Sequence, residues 1–268
     1  MKYLNKNNKK DNNNLTINDY DYSFEFPLIK VNNLNIANSK DTVVTEFPLG
    51  LVINDKYENT FLCTPFKLEE LVVGYLSSRN LINCKEDILS LEISHDKKIA
   101  YVNIDESSIE LDENTLYLNE YDFLKANPIC NDDLKINASD IYRVMENNLN
   151  LSQLFKSTAG VHCISIYGDG KLIIACEDVA RHNALDKAIG HCILNDIPLN
   201  DKIIFVSGRF SFEMMKKAAK VHVPIIVAKS ATTNLVIEAA EKLNITLVGF
   251  VRDKKMNIYT NPHRILLK

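Results

Sequence analysis

Residues 177–187 read Glu-Asp-Val-Ala-Arg-His-Asn-Ala-Leu-Asp-Lys. Seven ionisable or amide side chains (Glu177, Asp178, Arg181, His182, Asn183, Asp186 and Lys187) thus share eleven positions. Carboxylates, an imidazole and cations at this density can exchange protons, grip a polar ligand, or pair among themselves. The apolar run Leu172-Ile173-Ile174-Ala175-Cys176 comes just before them. A buried strand followed by a helix would deliver the cluster to a sheet edge, where α/β proteins bind ligands. Taken alone, the run also reads as a solvated helix start, acids first and bases later.

Two later segments repeat the strand-to-loop-to-helix pattern. Ser207-Gly208-Arg209-Phe210-Ser211-Phe212-Glu213-Met214 follows an apolar run. Gly208 lets the backbone turn, Ser211 and Glu213 suit a first helical turn whose free amides attract anions, and Arg209 is a bidentate phosphate donor. Lys229-Ser230-Ala231-Thr232-Thr233-Asn234 offers hydroxyls and a lysine in the same place after the next apolar run. Phe250-Val251-Arg252-Asp253-Lys254-Lys255 closes a third unit. By itself it is a charged turn, but in a parallel sheet it ends on the same side as the other two. Together the three loops predict a phosphate or ribose pocket.

His162 lies in Ser157-Thr158-Ala159-Gly160-Val161-His162-Cys163 and could be a metal ligand, a base or a satisfied core histidine, the last being the usual case for a lone histidine. The sequence has neither an H-x-E nor a C-x-x-C motif, which excludes zinc-dependent deamination, and no metal site is expected. The six cysteines are widely spaced, which points to a reducing cytoplasm rather than a disulfide framework. Cys63, Cys163, Cys176 and Cys192 sit in apolar segments and read as inert core thiols; Cys84 is ambiguous. Cys130 lies in a polar stretch between Lys125 and Lys135, which could favour its thiolate.

The elements that must position these residues follow from periodicity. Strands are predicted at 42–44, 51–53 and 60–63, a helix at 68–76 after Pro65, a strand pair at 89–93 and 99–104, and one more strand at 116–118. Residues 120–138 read as an irregular loop and 139–148 as a helix capped by Ser139 or Asp140. Residues 1–19 form a loose tail, and folded structure is expected from about Asp41. A domain boundary is placed near 150, giving an N-terminal α+β domain over 20–150 and a second domain over 151–268. In the latter, strands at 161–167, 172–176, 203–206, 225–228, 246–250 and 257–259 alternate with helices at 181–194, 211–221 and 234–243. That rhythm implies an α/β fold, α+β overall, with a mostly parallel sheet covered on both faces. A net charge of −4 argues against a general nucleic-acid surface. No apolar run nears the roughly 20 residues of a membrane helix, and residues 1–10 lack the apolar core of a secretory signal.

Several motifs together resemble one family, the formate dehydrogenase accessory sulfurtransferases (FdhD family). They are Glu46-Phe47-Pro48-Leu49, Cys63-Thr64-Pro65, Thr158-Ala159-Gly160-Val161-His162, the 177–187 run, residues 207–214 and Gly249-Phe250-Val251-Arg252. The resemblance implies a sulfur carrier required for formate dehydrogenase activity. Such a protein takes sulfur from a cysteine desulfurase and passes it to the molybdenum cofactor, a bis(molybdopterin guanine dinucleotide), before insertion into formate dehydrogenase. It implies Cys130 as the carrier, and a homodimer with a cytidine-deaminase-like second domain. Cofactor contacts, for which GDP is an analogue, would come from Phe250, Val251, Arg252, Asp253, Lys254, Lys255, Ser207, Gly208, Arg209, His162, Glu177, Asp178, Arg181 and His182. The sequence departs from the family pattern in keeping one loop cysteine, and in placing Ala159 and Ala180 where the pattern has glycine. A cofactor-binding chaperone without sulfur transfer is the competing reading.

Overall fold

The computed structural model describes residues 21–108 and 132–267. The expected tail at 1–19, the strand at 116–118 and Cys130 lie outside the described residues.

Regular structure is present from Ser23, well before Asp41. β1 (Ser23–Asn32) and β2 (Asn35–Val44) form a two-stranded ribbon. Asn33 and Leu34 turn the chain with φ of 45° and 73°, the mirror-image geometry that suits a two-residue hairpin. Asn54 and Asp55 use the same geometry to join β3 (Phe47–Ile53) to β4 (Lys56–Cys63). With β5 (Ile88–Ser94) and β6 (Ile99–Ile104) they make a four-stranded sheet in the order β4-β3-β6-β5. Alternate residues Phe47, Leu49 and Leu51 point inward, where they meet Leu68, Leu71, Val72 and Leu76 of α1 (Leu68–Ser78).

The second half holds a six-stranded sheet in the order β13-β12-β11-β10-β8-β9. Its strands are β8 (His162–Gly168), β9 (Lys171–Asp178), β10 (Ile203–Val206), β11 (Ile225–Ala228), β12 (Thr246–Arg252) and β13 (Lys255–Thr260). The sheet is mixed, which corrects the mostly parallel expectation: β10, β11 and β12 run parallel, while the β10–β8, β8–β9 and β12–β13 pairs are antiparallel. The cause is local. Asp169 and Gly170, at φ of 50° and 70°, close a tight hairpin, as do Asp253 and Lys254. Strands joined by two residues can only pair antiparallel.

Helices cover both faces. α2 (Ala138–Leu151) buries Ile141, Val144 and Met145 against Ile203, Phe205, Ile225 and Val227. α3 (Gln153–Thr158) then leads into β8. On the opposite face α4 (Arg181–Leu194), α5 (Phe212–Lys220) and α6 (Asn234–Lys242) pack on Ile204, Val206, Ile226 and Ala228. The strict alternation along β10 thus serves two cores. A short β7 (Ile136–Asn137) pairs parallel with β14 (Ile265–Leu266).

The two sheets are joined through α1 and α4, whose backbones touch at glycines. A Cβ on Gly74 would lie 1.9 Å from the Asp186 carbonyl oxygen, and one on Gly190 would lie 1.9 Å from that of Glu70. No larger residue fits that crossing.

Candidate functional site: a row of strand ends

The loops that follow the parallel strands are laced to one another. Ser207 donates its amide to the Cys163 carbonyl (3.0 Å) and accepts the Cys163 amide on its hydroxyl (2.9 Å). The Lys229 amide donates to Val206 (2.9 Å), and the Phe250 amide donates to Ser230 (3.2 Å). Phe250 takes a left-handed φ of 54°, which breaks the β12–β13 register where the loop meets Ser230. Pairing of His162 with Asp178 and of Cys163 with Glu177 brings the end of β9 to the same edge. Gly208 lies against the His162 ring: a Cβ there would be 3.1 Å from Nδ1. The structure therefore brings His162, Glu177, Ser207, Gly208, Ser230 and Phe250 into one row. Arg209 lies in the loop of the β10 end, while Arg252, Asp253, Lys254 and Lys255 form the exposed tip of the β12–β13 hairpin; all five are exposed. Val251 is buried in the core beneath α2, so any contact it makes with a ligand is through its backbone.

Four buried polar atoms on this edge lack a hydrogen-bond partner: Glu177 Oε1, Arg181 Nε, Ser211 Oγ and Thr232 Oγ1. Burying such atoms without a partner costs free energy, so their gathering at adjacent loop ends marks a place prepared for a polar ligand. Ser211 sits at the N-cap of α5 with no side-chain cap bond, and Thr233 is placed likewise at α6. The free amides of two helix starts thus face the same edge.

The histidines here are held neutral. His182 is half-buried and its pKa is pushed down to about 4 by burial, then by the charges of Arg181 and Lys217, against the pull of Glu213. Burial and then Arg181 also lower His162, opposed by Asp178. Neutral imidazoles can accept a proton or a hydrogen bond at neutral pH.

Part of the 177–187 run does something else. Asp178 and Lys187 are fully buried and lie 2.6 Å apart, so these two members of the run pair with each other. Asp178 also accepts from the Thr64 amide (3.0 Å) and hydroxyl (3.1 Å), the Ala180 amide (2.9 Å) and Asn183 Nδ2 (3.1 Å). Lys187 donates to the carbonyl (3.0 Å) and hydroxyl (2.8 Å) of Thr64. Asp178, read above as a ligand contact, is instead saturated by this network, which ties the Cys63-Thr64-Pro65 segment to α4. Asp186 is likewise turned inward, onto Lys217 of α5 and Ser78 of α1.

The described thiols divide as expected. Burial pushes Cys63, Cys163, Cys176 and Cys192 up to about 12, while Cys84 is exposed. Asp132, two positions beyond Cys130, accepts from Arg264 Nη2 (2.9 Å) and Asn244 Nδ2 (3.1 Å), and His263 Nε2 lies 3.0 Å away. Arg264 also donates to the Thr246 hydroxyl (3.1 Å). Thr246 opens β12 and Arg252 ends it, so Asp132 is anchored at the opposite edge of the sheet, about 20 Å from the Arg252 end at strand rise. Ser211 was legible in the sequence as a helix-start hydroxyl, and Thr232 only as part of the 229–234 segment. Among the described residues, no group of three or more His, Cys, Asp or Glu is placed to hold a metal ion, and no helix is long and apolar enough to cross a membrane.

A mixed α/β protein with a polar row at its strand ends has close relatives. Over residues 44–266 the chain matches the FdhD/NarQ family, and it belongs to that family. It is 36% identical over 255 residues to the sulfur carrier protein FdhD of Halalkalibacterium halodurans, covering 89% of this chain and 94% of the relative. It is 40% identical over 237 residues to the protein of that name from Bacillus pumilus, covering 84% and 90%. The crystal structure of a candidate formate dehydrogenase accessory protein from Desulfotalea psychrophila shares the fold, with a TM-score of 0.77 at 24% identity, covering 92% of this chain and all of the other.

Proposed function

We propose that this chain is a sulfur carrier serving formate dehydrogenase, with a cysteine desulfurase as donor and the bis(molybdopterin guanine dinucleotide) form of the molybdenum cofactor as the substrate that receives sulfur. The observation that carries the reading is the set of partnerless atoms on Glu177, Arg181, Ser211 and Thr232, beside two helix starts and the exposed cations Arg209, Arg252 and Lys255. A nucleotide supplies what these groups want: phosphate oxygens for amides, hydroxyls and guanidinium groups, and ring N–H groups for a carboxylate. Glu177 is the acceptor in this assignment; Asp178 is fully engaged elsewhere. The relatives named as sulfur carriers supply the reaction class. Cys130 is the proposed carrier. Its thiolate attacks the outer sulfur of the donor's persulfide; a new S–S bond forms as the donor S–S bond breaks, and the donor cysteine leaves as thiolate. The strand order, a hairpin beside three parallel strands, supports a cytidine-deaminase-like second domain.

The second reading is a cofactor-binding chaperone without sulfur transfer. It is favoured by Asp132, which is held through Arg264 at the start of β12, the end opposite the row. Both readings require the nucleotide site. Calorimetry with GDP tests it: the parent should bind, and Arg252→Ala should weaken binding by about 1.5–3 kcal/mol, the worth of a charge-assisted hydrogen bond. No GDP binding by the parent, or an unchanged affinity in the variant, removes the assignment.

A further inference from the structure

Three polar side chains are buried between α2 and β8, inside an otherwise apolar layer. Cys163 and Ser165 are two residues apart on β8 and so share one face of the sheet. Asn148, from α2, meets Cys163 on that face. Asn148, Cys163 and Ser165 are all fully buried. The Cys163 thiol donates to the Asn148 carbonyl and to Asn148 Oδ1, each at 3.6 Å. With the thiol as donor, Oδ1 is the amide atom turned towards sulfur. Two groups are then left over. Asn148 Nδ2, with two N–H donors, and Ser165 Oγ, a donor and acceptor, have no hydrogen-bond partner among the described residues.

We infer that this layer is a binding site for ordered internal water, hydrogen-bonded to Asn148 Nδ2 and Ser165 Oγ beside the Cys163 thiol. Three observations select water as the ligand. First, the unmet groups are neutral, and they offer what an internal water uses: N–H donors, a hydroxyl that gives and takes, and sulfur as a weak acceptor. An anion would meet the charge of Glu177, the cross-strand partner of Cys163 that acts on its thiol. A cation would meet the N–H donors of Asn148. Second, the layer is thin on side chains there. Ser165 pairs with Ala175 across β8 and β9, so two small residues lie side by side next to the large Phe205 and Tyr167, which stack edge-to-face at 5.3 Å. Third, Ala175 is only partly buried on the edge strand β9, which gives water a way in.

The water completes a polar fastening at one end of α2. Ile141, Val144 and Met145 hold the helix to β10 and β11 by apolar packing. At the Asn148 turn the contact with Cys163 is polar instead. β8 opens at His162, next to Cys163, and Glu177 faces Cys163 from β9. Internal water here therefore ties α2 to the two strand ends that bring His162 and Glu177 to the row. The site stands apart from the row, and it is independent of which ligand the row takes.

A crystal structure of the full chain, at a resolution that shows ordered water, tests the site without any variant. Water should lie at hydrogen-bond distance from Asn148 Nδ2 and from Ser165 Oγ, as one molecule or two in contact. Urea denaturation adds a readout in solution. Asn148 and Ser165 do not bond each other, so coupling between them passes through what lies between. Asn148→Leu and Ser165→Ala should each lower the midpoint. The double variant, with neither polar group left to hydrate, should lose less than the two shifts added together. A structure with no water at these atoms, one in which a protein atom takes its place, or midpoint shifts that simply add would each overturn the inference. No nucleotide enters either measurement, so failure here is distinguishable from failure of the nucleotide site.

Discussion

Replacing Lys187 with Met should be among the most damaging single changes in this protein. Met keeps the length and the apolar stem but removes the ammonium group. Asp178 would then remain fully buried with the Thr64 and Ala180 amides, the Thr64 hydroxyl and Asn183 as donors, but without the countercharge at 2.6 Å. The Thr64 carbonyl would lose a donor, and Phe66 the cation 4.4 Å from its ring centre. Removing one partner of a buried pair costs about 3–5 kcal/mol, far beyond the 0–1 kcal/mol of a surface pair. In the Asp178→Asn/Lys187→Met double variant no charge is stranded, and the loss should fall to roughly 1–2 kcal/mol, the value of the remaining imperfect hydrogen bonds. Urea denaturation at pH 7 of the parent, both single variants and the double variant gives the coupling energy. A Lys187→Met loss below about 1 kcal/mol, or a double variant no better than the single, would refute the view that this pair fastens the two halves.

The glycine crossing sets two helix effects against each other. Gly74→Ala gains up to about 1 kcal/mol of helix propensity, but its Cβ meets the Asp186 carbonyl at 1.9 Å, and overpacking a rigid contact costs about 1–3 kcal/mol or more. A net loss should appear in the denaturation midpoint; a stabilised variant would show that the crossing is loose. Ala159 caps α3 at φ 52° in the left-handed region, where the family pattern has glycine, so Ala159→Gly should stabilise by roughly 0.5–1 kcal/mol after the entropy of the unfolded chain is counted. Ala180, at φ −109°, needs no glycine, and Ala180→Gly should bring no gain. His182 is depressed to about 4 in the folded state, so between about pH 6.5 and 4 the unfolded chain binds more protons and stability falls as pH drops. His182→Gln should flatten that slope, and an NMR titration of His182 with a midpoint above 6 would contradict the burial that causes it.

The sequence carried much of this in its turns and periods. Asn54-Asp55 and Gly168-Asp169-Gly170 mark their hairpins, and apolar runs mark the buried strands whose ends form the row. The ribbon was hidden because Asn33-Leu34 replaces the usual Asn-Gly signal, and because its exposed apolar residues lack the polar alternation of a half-buried strand. The mixed sheet was hidden by weighing the strand–helix rhythm above the two hairpins. The buried roles of Asp178, Asp186 and Lys187 depend on Thr64, Ser78 and Lys217, all distant in sequence. Nothing in a local charge pattern says whether an acid will meet a ligand, solvent or a lysine brought in from elsewhere.

Incubation of the purified chain with a cysteine desulfurase and ³⁵S-cysteine, followed by peptide mapping without reductant, decides whether sulfur is carried. The account expects label on Cys130 that is released by reductant, absent from Cys130→Ala, and unaffected by Cys84→Ser. Label that persists in Cys130→Ala would overturn Cys130 as the carrier, and none in the parent while GDP still binds would contradict sulfur transfer and leave a cofactor-binding chaperone in its place.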